Sequence, residues 1–333
     1  MEQQFIAWLR ERLPPHPLLL LGPGDDAAVL RMTGIDECVV TVDLLTDQVD
    51  FILDQADPRR VGRKALAVNL SDLSAMAARP LAAVLAVALP RHGGGALAVA
   101  LYEGLLPLAE KYGLAIAGGD TNSWDGPLVI TATLLGQVTA RGPLRRGGAR
   151  PGDRIVVSGA FGGSILGRHF DFEPRVNEAL LLNERYELHA GMDVSDGLTL
   201  DLSRLIAESR VGAIVDTDRV PIHDDARRLA RIKGDSPHLC AAPSGPFRQM
   251  GTGYPLGAFY SRTPLEHALG DGEDFELLLA VEPGDARRML AEQPLDAALT
   301  DIGEITAAGG LWQREAGGPP RPLTPTGWEH KLG

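Results

Sequence analysis

Carboxylates recur in this chain at positions where a carboxylate needs a reason to sit. Asp25 and Asp26 follow the turn Gly22-Pro23-Gly24, Asp43 closes the apolar run CVVTV, and Asp72 ends Asn69-Leu70-Ser71-Asp72 inside KALAVNLSDLSAMAA. Asp120 follows Gly118-Gly119, and Asp193 and Asp196 flank Val194-Ser195 ahead of Gly197. Acidic groups gathered in space repel one another unless cations lie between them. Hard oxygen donors of this kind suit Mg2+, which in turn accompanies phosphate chemistry. Each motif alone also has a plain structural reading. An Asp pair after such a turn is ordinary turn chemistry, a strand-end Asp can cap the next element, and Asn-Leu-Ser-Asp can cap one helix and start another. Their joint occurrence predicts a site for several Mg2+ ions.

Neighbouring residues extend that expectation. Thr41 lies two residues before Asp43, so in a strand the hydroxyl and the carboxylate share a face. Gly118-Gly119 leaves backbone N–H groups open to a phosphate, or forms a tight turn. Glu273-Asp274 precedes the apolar run FELLLAV, where adjacent acids are costly unless partnered. Gly159-Ala160-Phe161-Gly162-Gly163-Ser164 is Gly-rich but lacks the P-loop lysine, and reads equally as a weak nucleotide signal or a close-packed turn. No convincing Ser–His or His–Asp arrangement accompanies these motifs, so no catalytic nucleophile or general base is expected.

The elements that must position them can be read from periodicity. Phe5, Ile6, Leu9 and Leu13 predict a helix stopped by Pro14-Pro15. Strands are expected over 25–30, 37–42 and 81–89, with helices over 58–78 and 95–112. Further strands are expected over 114–117 and 128–139, separated by the turn-rich GGDTNSWDGP. After a linker-like stretch rich in Gly, Arg and Pro (141–153), a second pattern restarts with a strand at 154–158. It continues through a helix at 198–209, strands at 213–216, 275–281 and 300–305, and a helix at 283–292. A long Pro/Gly/Ser/Arg-rich segment, about 223–269, reads as a surface insertion. The mixing without strict βαβ alternation gives an α+β class with two domains, 1–145 and 146–333.

Bulk properties narrow the function. The chain has 333 residues, room for two cores, with 44% hydrophobic and 23% charged residues. A net charge of −12 disfavours nucleic acid and anionic membrane surfaces as partners. Two cysteines, Cys38 and Cys240, support neither a disulfide framework nor a zinc site, which suits a reducing cytoplasm. The start MEQQFIAWLRERLPP carries charges in a helical pattern and is not expected to be a signal peptide. The apolar run Leu81–Pro90 is too short to span a bilayer.

In order, GPGDDAAVL, TVDLLTD, KALAVNLSDLSAM, GGDTN, RGGARPGD, MDVSDGL, GEDFELLLAV and the late GWEH resemble the thiamine-monophosphate kinases. That family belongs to the aminoimidazole ribonucleotide synthetase-like ATP-binding superfamily, and the resemblance spans nearly the whole chain. It implies two α/β-sandwich domains, the first serving ATP, Mg2+ and dimerisation, the second supplying substrate and metal contacts. It implies γ-phosphoryl transfer from ATP to thiamine monophosphate, giving thiamine diphosphate, by direct in-line attack in a cytoplasmic homodimer. By the same resemblance Mg2+ ligands fall on Asp26, Thr41, Val42 (through its backbone), Asp43, Asp72, Asp120, Asp193 and Asp196. ATP contacts fall on Tyr102, Gly119, Asp120, Arg146 and Ser195, and substrate contacts on Asp50, Glu273 and Trp328. Asp50 stands where the family usually has histidine, and Met76-Ala77-Ala78 where it has Met-Gly-Ala. The alternatives are another ATP-dependent member of the superfamily or a non-catalytic nucleotide-binding one.

Overall fold

The structure, a computed structural model, describes residues 19–21, 25, 27–31, 37–231 and 262–329. The expected N-terminal helix, Asp26, Cys240 and most of the Pro/Gly-rich segment lie outside the described residues. Strands β1 (Leu19–Leu21), β2 (Ala28–Leu30), β3 (Cys38–Thr46), β4 (Arg79–Pro90), β5 (Ala115–Trp124) and β6 (Val129–Gln137) form one sheet. Its order is β1-β2-β3-β6-β4-β5. β6 alternates buried and half-buried residues without a break, so the sheet turns one face to a core. Helices α1 (Pro58–Ala75) and α2 (Gly94–Lys111) pack beside it. At the start of α1 the Asp57 carboxylate accepts the Arg59 N–H at 2.9 Å, and Pro58 sits where its missing N–H has no cost. The two helices meet backbone to backbone. A Cβ on Gly62 would lie 2.0 Å from the Leu101 carbonyl oxygen, and one on Gly104 1.8 Å from that of Arg59, so only glycine admits this crossing.

The second half runs β7 (Arg154–Ser158), α3 (Arg168–Asp171), α4 (Val176–Arg185), β8 (Leu188–Asp193), α5 (Leu198–Ser209), β9 (Gly212–Asp216) and α6 (Asp224–Leu229). It continues with α7 (Pro264–Gly270), β10 (Leu277–Val281), α8 (Pro283–Glu292), β11 (Leu299–Thr306), β12 (Gly310–Arg314) and β13 (Arg321–Pro322). These strands form a seven-stranded sheet, β13-β12-β9-β11-β7-β10-β8. β10 lies between β7 and β8 with every residue buried, which is why it reads as an unbroken apolar run. Two mixed sheets with packed helices are the expected α+β architecture of two α/β domains.

Two local expectations fail. β5 does not end at Ala117: parallel pairing with β4 carries it to Trp124 opposite Pro90, so Gly118-Gly119-Asp120 lies within a strand and not in a turn. Nor does β3 end at Asp43, since it runs on to Thr46. The expected helix over 58–78 does pass unbroken through Asn69–Asp72, so that stretch is not a cap between two helices. Its polar residues are tolerated because they are partnered: Asn69 Nδ2 donates to the Ala65 carbonyl, Ser71 to Asp193 and Ser74 to the Ser71 carbonyl, while Asp72 accepts from Thr41. α1 itself is buried on nearly all sides. α4 and β8 from the second half pack against it, while α2 and the first sheet contact it from the first half. Phe172, Val176 and Phe275 likewise join the core of the first sheet, the two phenylalanines stacked with ring centroids 4.0 Å apart. The domains therefore share apolar packing along a seam, and α1 is its axis.

Candidate functional site

The acidic residues of β3 and α1 meet at this seam. In β3 the period-two rule turns Thr41 and Asp43 toward α1, while Val42 is 60% exposed on the opposite face. On the last turn of α1 the Asp72 carboxylate accepts the Thr41 hydroxyl and hydrogen-bonds with Asp43. Two carboxylates can share a hydrogen bond only if one holds a proton. Loss of water pushes the Asp43 carboxyl up to about 6, helped by the charges of Asp50 and Asp196 and opposed by the bond with Asp72. One residue earlier on α1, the Ser71 hydroxyl donates to Asp193 at the end of β8, 2.5 Å across the seam.

The loop after β8 brings Asp196 to the same place. Its N–H and that of Gly197 donate to Asp201 Oδ2 at 2.9 and 3.1 Å, so a helix-borne carboxylate holds the loop. Arg204 donates to both Asp196 and Asp201, and Nε of that arginine has no partner among the described residues. Burial, with the like charge of Asp196, pushes the Asp201 carboxyl up to about 7. The Asp196 carbonyl accepts the Trp328 N–H at 2.9 Å, which fixes the C-terminal aromatic beside the loop. Arg146 approaches from the domain connection. Its N–H faces the Asp25 carboxylate at 3.2 Å, and its carbonyl accepts the Ser209 hydroxyl at 2.8 Å.

A second group lies along α1 from the first. The Lys64 side chain is fully buried, donates to the Asp50 carbonyl at 2.9 Å and to Glu273, and lies 2.9 Å from His169 Nδ1. Glu273 Oε2 also lies 3.2 Å from His169 Nδ1. Burial would raise the Glu273 carboxyl, but the Lys64 ammonium and His169 together hold it down at about 2. The Glu273 backbone is left-handed, with φ of 54°, a costly conformation for a residue with a Cβ. Its N–H is anchored on the Ser195 carbonyl at 2.6 Å. Asp274 is partnered separately by Arg168 at 2.8 Å and the Gly162 N–H at 2.9 Å. Thus both adjacent acids have the partners their burial demands.

The structure brings together Thr41, Asp43, Asp72, Asp193 and Asp196, and beside them Asp50, Ser195, Glu273 and Trp328. Asp120, Gly119 and Tyr102 stand apart. Through β6 and β4, Asp120 is in register with Leu44, so both lie on the outer face of the sheet, opposite to Asp43. Asp120 accepts the Thr121 N–H at 2.9 Å. Gly119 shares the row of Asp43, and a Cβ there would lie 1.8 Å from the Leu85 carbonyl oxygen. Tyr102, on α2, packs against the first core. The Gly-rich loop after β7 is filled from within: the N–H groups of Gly162 and Gly163 serve Asp274 and Asp271. Among the described residues, no three His, Cys, Asp or Glu side chains close into a metal-ready group. The donor chemistry still fits a hard cation, since Asp43 and Asp72 sit in hydrogen-bond contact and no positive side chain among the described residues is bonded to Asp43. Sequence reasoning does not single out Lys64, His169, Asp201 or Arg204, and reads Ser71 only as part of the Asn69–Asp72 motif. The i,i+3 spacing of Asp201 and Arg204 is a signal that could have been used, whereas Lys64 and His169 meet only through the tertiary fold.

Known proteins resemble this chain along most of its length. Residues 24–138 match the family AIR synthase related protein, N-terminal domain, and residues 157–311 its C-terminal domain. A thiamine-monophosphate kinase of Rhodopirellula baltica is 39% identical over 99% of this chain and 97% of its own. One from Bacillus subtilis is 33% identical over 68% of this chain and 77% of its own. The solved thiamine-monophosphate kinase of Stenotrophomonas maltophilia superposes with a TM-score of 0.67 at 33% identity, covering 93% of this chain and 95% of its own. AaThiL complexed with AMPPCP and TMP gives 0.74 at 23% identity over 99% and 96% of the two chains, a likeness of fold. On these similarities and the full-length order of its motifs, the chain belongs to the thiamine-monophosphate kinase family, built on the two-domain AIR synthase related fold.

Proposed function

We propose that this protein transfers the γ-phosphoryl group of ATP to thiamine monophosphate, giving thiamine diphosphate, in one in-line step without a phospho-enzyme. The observation that carries the reading is the convergence of Asp43, Asp72, Asp193 and Asp196 from both domains at one seam. Bringing two phosphates together makes charge neutralisation the dominant part of the barrier. Thr41, Asp43, Asp72, Asp193 and Asp196 would hold Mg2+ there, with Asp26 and the Val42 carbonyl as further donors, while Asp120 on the opposite face of the sheet would not reach them. When bound, the ions screen both phosphates and align them. The attacking phosphate oxygen is anionic near neutral pH, so the chain needs no strong general base.

The protein's own residues do the rest. Ser71 and Thr41 orient Asp193 and Asp72 by hydrogen bonds, and Asp201 with Arg204 fixes the Asp196 loop. Arg146 and Ser195, with Gly119 and Tyr102, serve ATP. Glu273 and the face of Trp328 receive the cationic thiamine rings, with Asp50 adding negative charge. A homodimer fits the outer face of the first sheet, where Val42, Leu44, Leu81 and Val84 are 60%, 59%, 44% and 46% exposed and Asp120 shares the surface. A cytoplasmic setting fits the free thiol of Cys38. Among the described residues no helix is long and apolar enough to cross a membrane.

The test is ATP turnover with thiamine monophosphate, thiamine or hydroxymethylpyrimidine phosphate, each with and without Mg2+. Thiamine diphosphate from the first alone, only with Mg2+, is expected. Phosphorylation of another acceptor in its place, or label retained on denatured protein after γ-labelled ATP, would overturn the reading.

A further inference from the structure

A lysine with no exposed surface is unusual enough to need a task. Lys64 has three ammonium protons and no acceptor capacity. Its ammonium donates to the Asp50 carbonyl at 2.9 Å and to Glu273 Oε1, and lies 2.9 Å from His169 Nδ1, which is itself 3.2 Å from Glu273 Oε2. With no exposed surface, the ammonium is directed at the protein and not at a bound molecule. Glu273, by contrast, keeps 34% of its side chain exposed at the seam.

We propose that Lys64 is a positioning residue for the acceptor substrate, fixing the Glu273 carboxylate from within α1 without touching the substrate itself. The proposal rests on the reading of Glu273 as an acceptor contact. Two constraints act on Glu273. The Ser195 carbonyl holds its N–H in a left-handed backbone, and Lys64 with His169 holds its carboxylate. A backbone of this kind persists only where the surroundings over-determine it. Lys64 and Ser71 are seven residues apart, hence on one face of α1 and separated by about 10 Å of helix rise. The same rigid helix that carries Ser71 and Asp72 thus sets the distance to Glu273. α1 acts as a ruler between the carboxylate that receives the acceptor ring and those that handle the phosphates.

Steady-state kinetics of Lys64→Met, which keeps the side-chain length and removes the charge, tests this. Unpairing a buried charge predicts a rise in KM for thiamine monophosphate on the order of 30-fold, with KM for ATP within about 3-fold of wild type. Glu273→Gln should raise the same KM. The double variant should be no worse than the weaker single variant, because both act on one contact. Equal changes in both KM values, or a lowered melting temperature with both KM values unchanged, would reduce Lys64 to a structural latch and overturn the proposal. Should Lys64→Met fail to fold, Lys64→Arg decides: its planar fork displaces Glu273 and raises the acceptor KM, whereas a latch leaves it at the wild-type value. A wild-type protein that forms no thiamine diphosphate would sink the kinase reading and this proposal together. Activity with an unchanged acceptor KM in the variants would sink this proposal alone.

Discussion

Asp43 and Glu273 line one seam and are served by one helix, yet their environments pull them in opposite directions. Glu273 has a cation of its own: the fully buried Lys64 holds it ionised, with a pKa of about 2. Asp43 has carboxylates for neighbours, Asp72 by hydrogen bond and Asp50 and Asp196 by charge, and is pushed up to about 6. Burial acts on both. What separates them is whether the protein supplies the counter-charge or leaves it to be supplied from outside. A site for a phosphate-bound cation needs the second arrangement, whereas the first fixes a carboxylate in its charged form and in one place.

The contrast can be broken experimentally, and the largest effect should come from the side lacking a cation. Asp43→Asn and Asp72→Asn should each lower kcat for thiamine monophosphate phosphorylation by about 10^3-fold or more. Both should also raise the melting temperature of the metal-free protein, because they relieve repulsion. Near-wild-type turnover in either variant would remove the acidic group from catalysis. On the other side the sign of stability reverses. Glu273→Gln strips Lys64 of its counter-charge and should cost about 2 kcal/mol in denaturant unfolding, less than a fully buried pair because Glu273 is partly exposed. An unchanged midpoint would mean that Lys64 finds another partner.

A smaller effect follows from pH. The Asp43 carboxyl is raised in the folded protein, so the folded state binds more protons than the unfolded one, and its stabilising contribution is lost as pH rises from about 4 toward 6. Mg2+ displaces that proton, so its stabilising shift in melting temperature should be larger at pH 8 than at pH 5. A shift independent of pH would show that the ion binds away from Asp43. The smallest effect belongs to Asp50→Asn, which removes one like charge. It should move the acid limb of the kcat profile down by about half a pH unit. An upward movement would contradict the assigned repulsion.

Much of this was legible in sequence, and the failures share a physical cause. Regular elements with one buried face, such as α5 and α8, fall where periodicity puts them because one side faces water. α1 does not obey that logic. It is buried by both domains, so its polar residues look like an interruption when they are buried contacts across the seam. β5 reads as a short strand in sequence because Gly118-Gly119 signals a turn, whereas pairing with β4 decides its length. The acidic residues could be found by type and spacing. The distinction between Asp43 and Glu273 could not, since it depends on Lys64 and His169, which lie 209 and 104 positions away from Glu273 in the chain.

The stacked pair Phe172 and Phe275 has a mechanical consequence. Both rings belong to the second half of the chain but lie in the core of the first, alongside Val176. Swinging the halves apart to admit two phosphorylated molecules would drag aromatic surface into water at each turnover. Opening the two halves like a clamshell therefore costs about 2 kcal/mol for each ring exposed, a cost that a movement of loops alone does not carry.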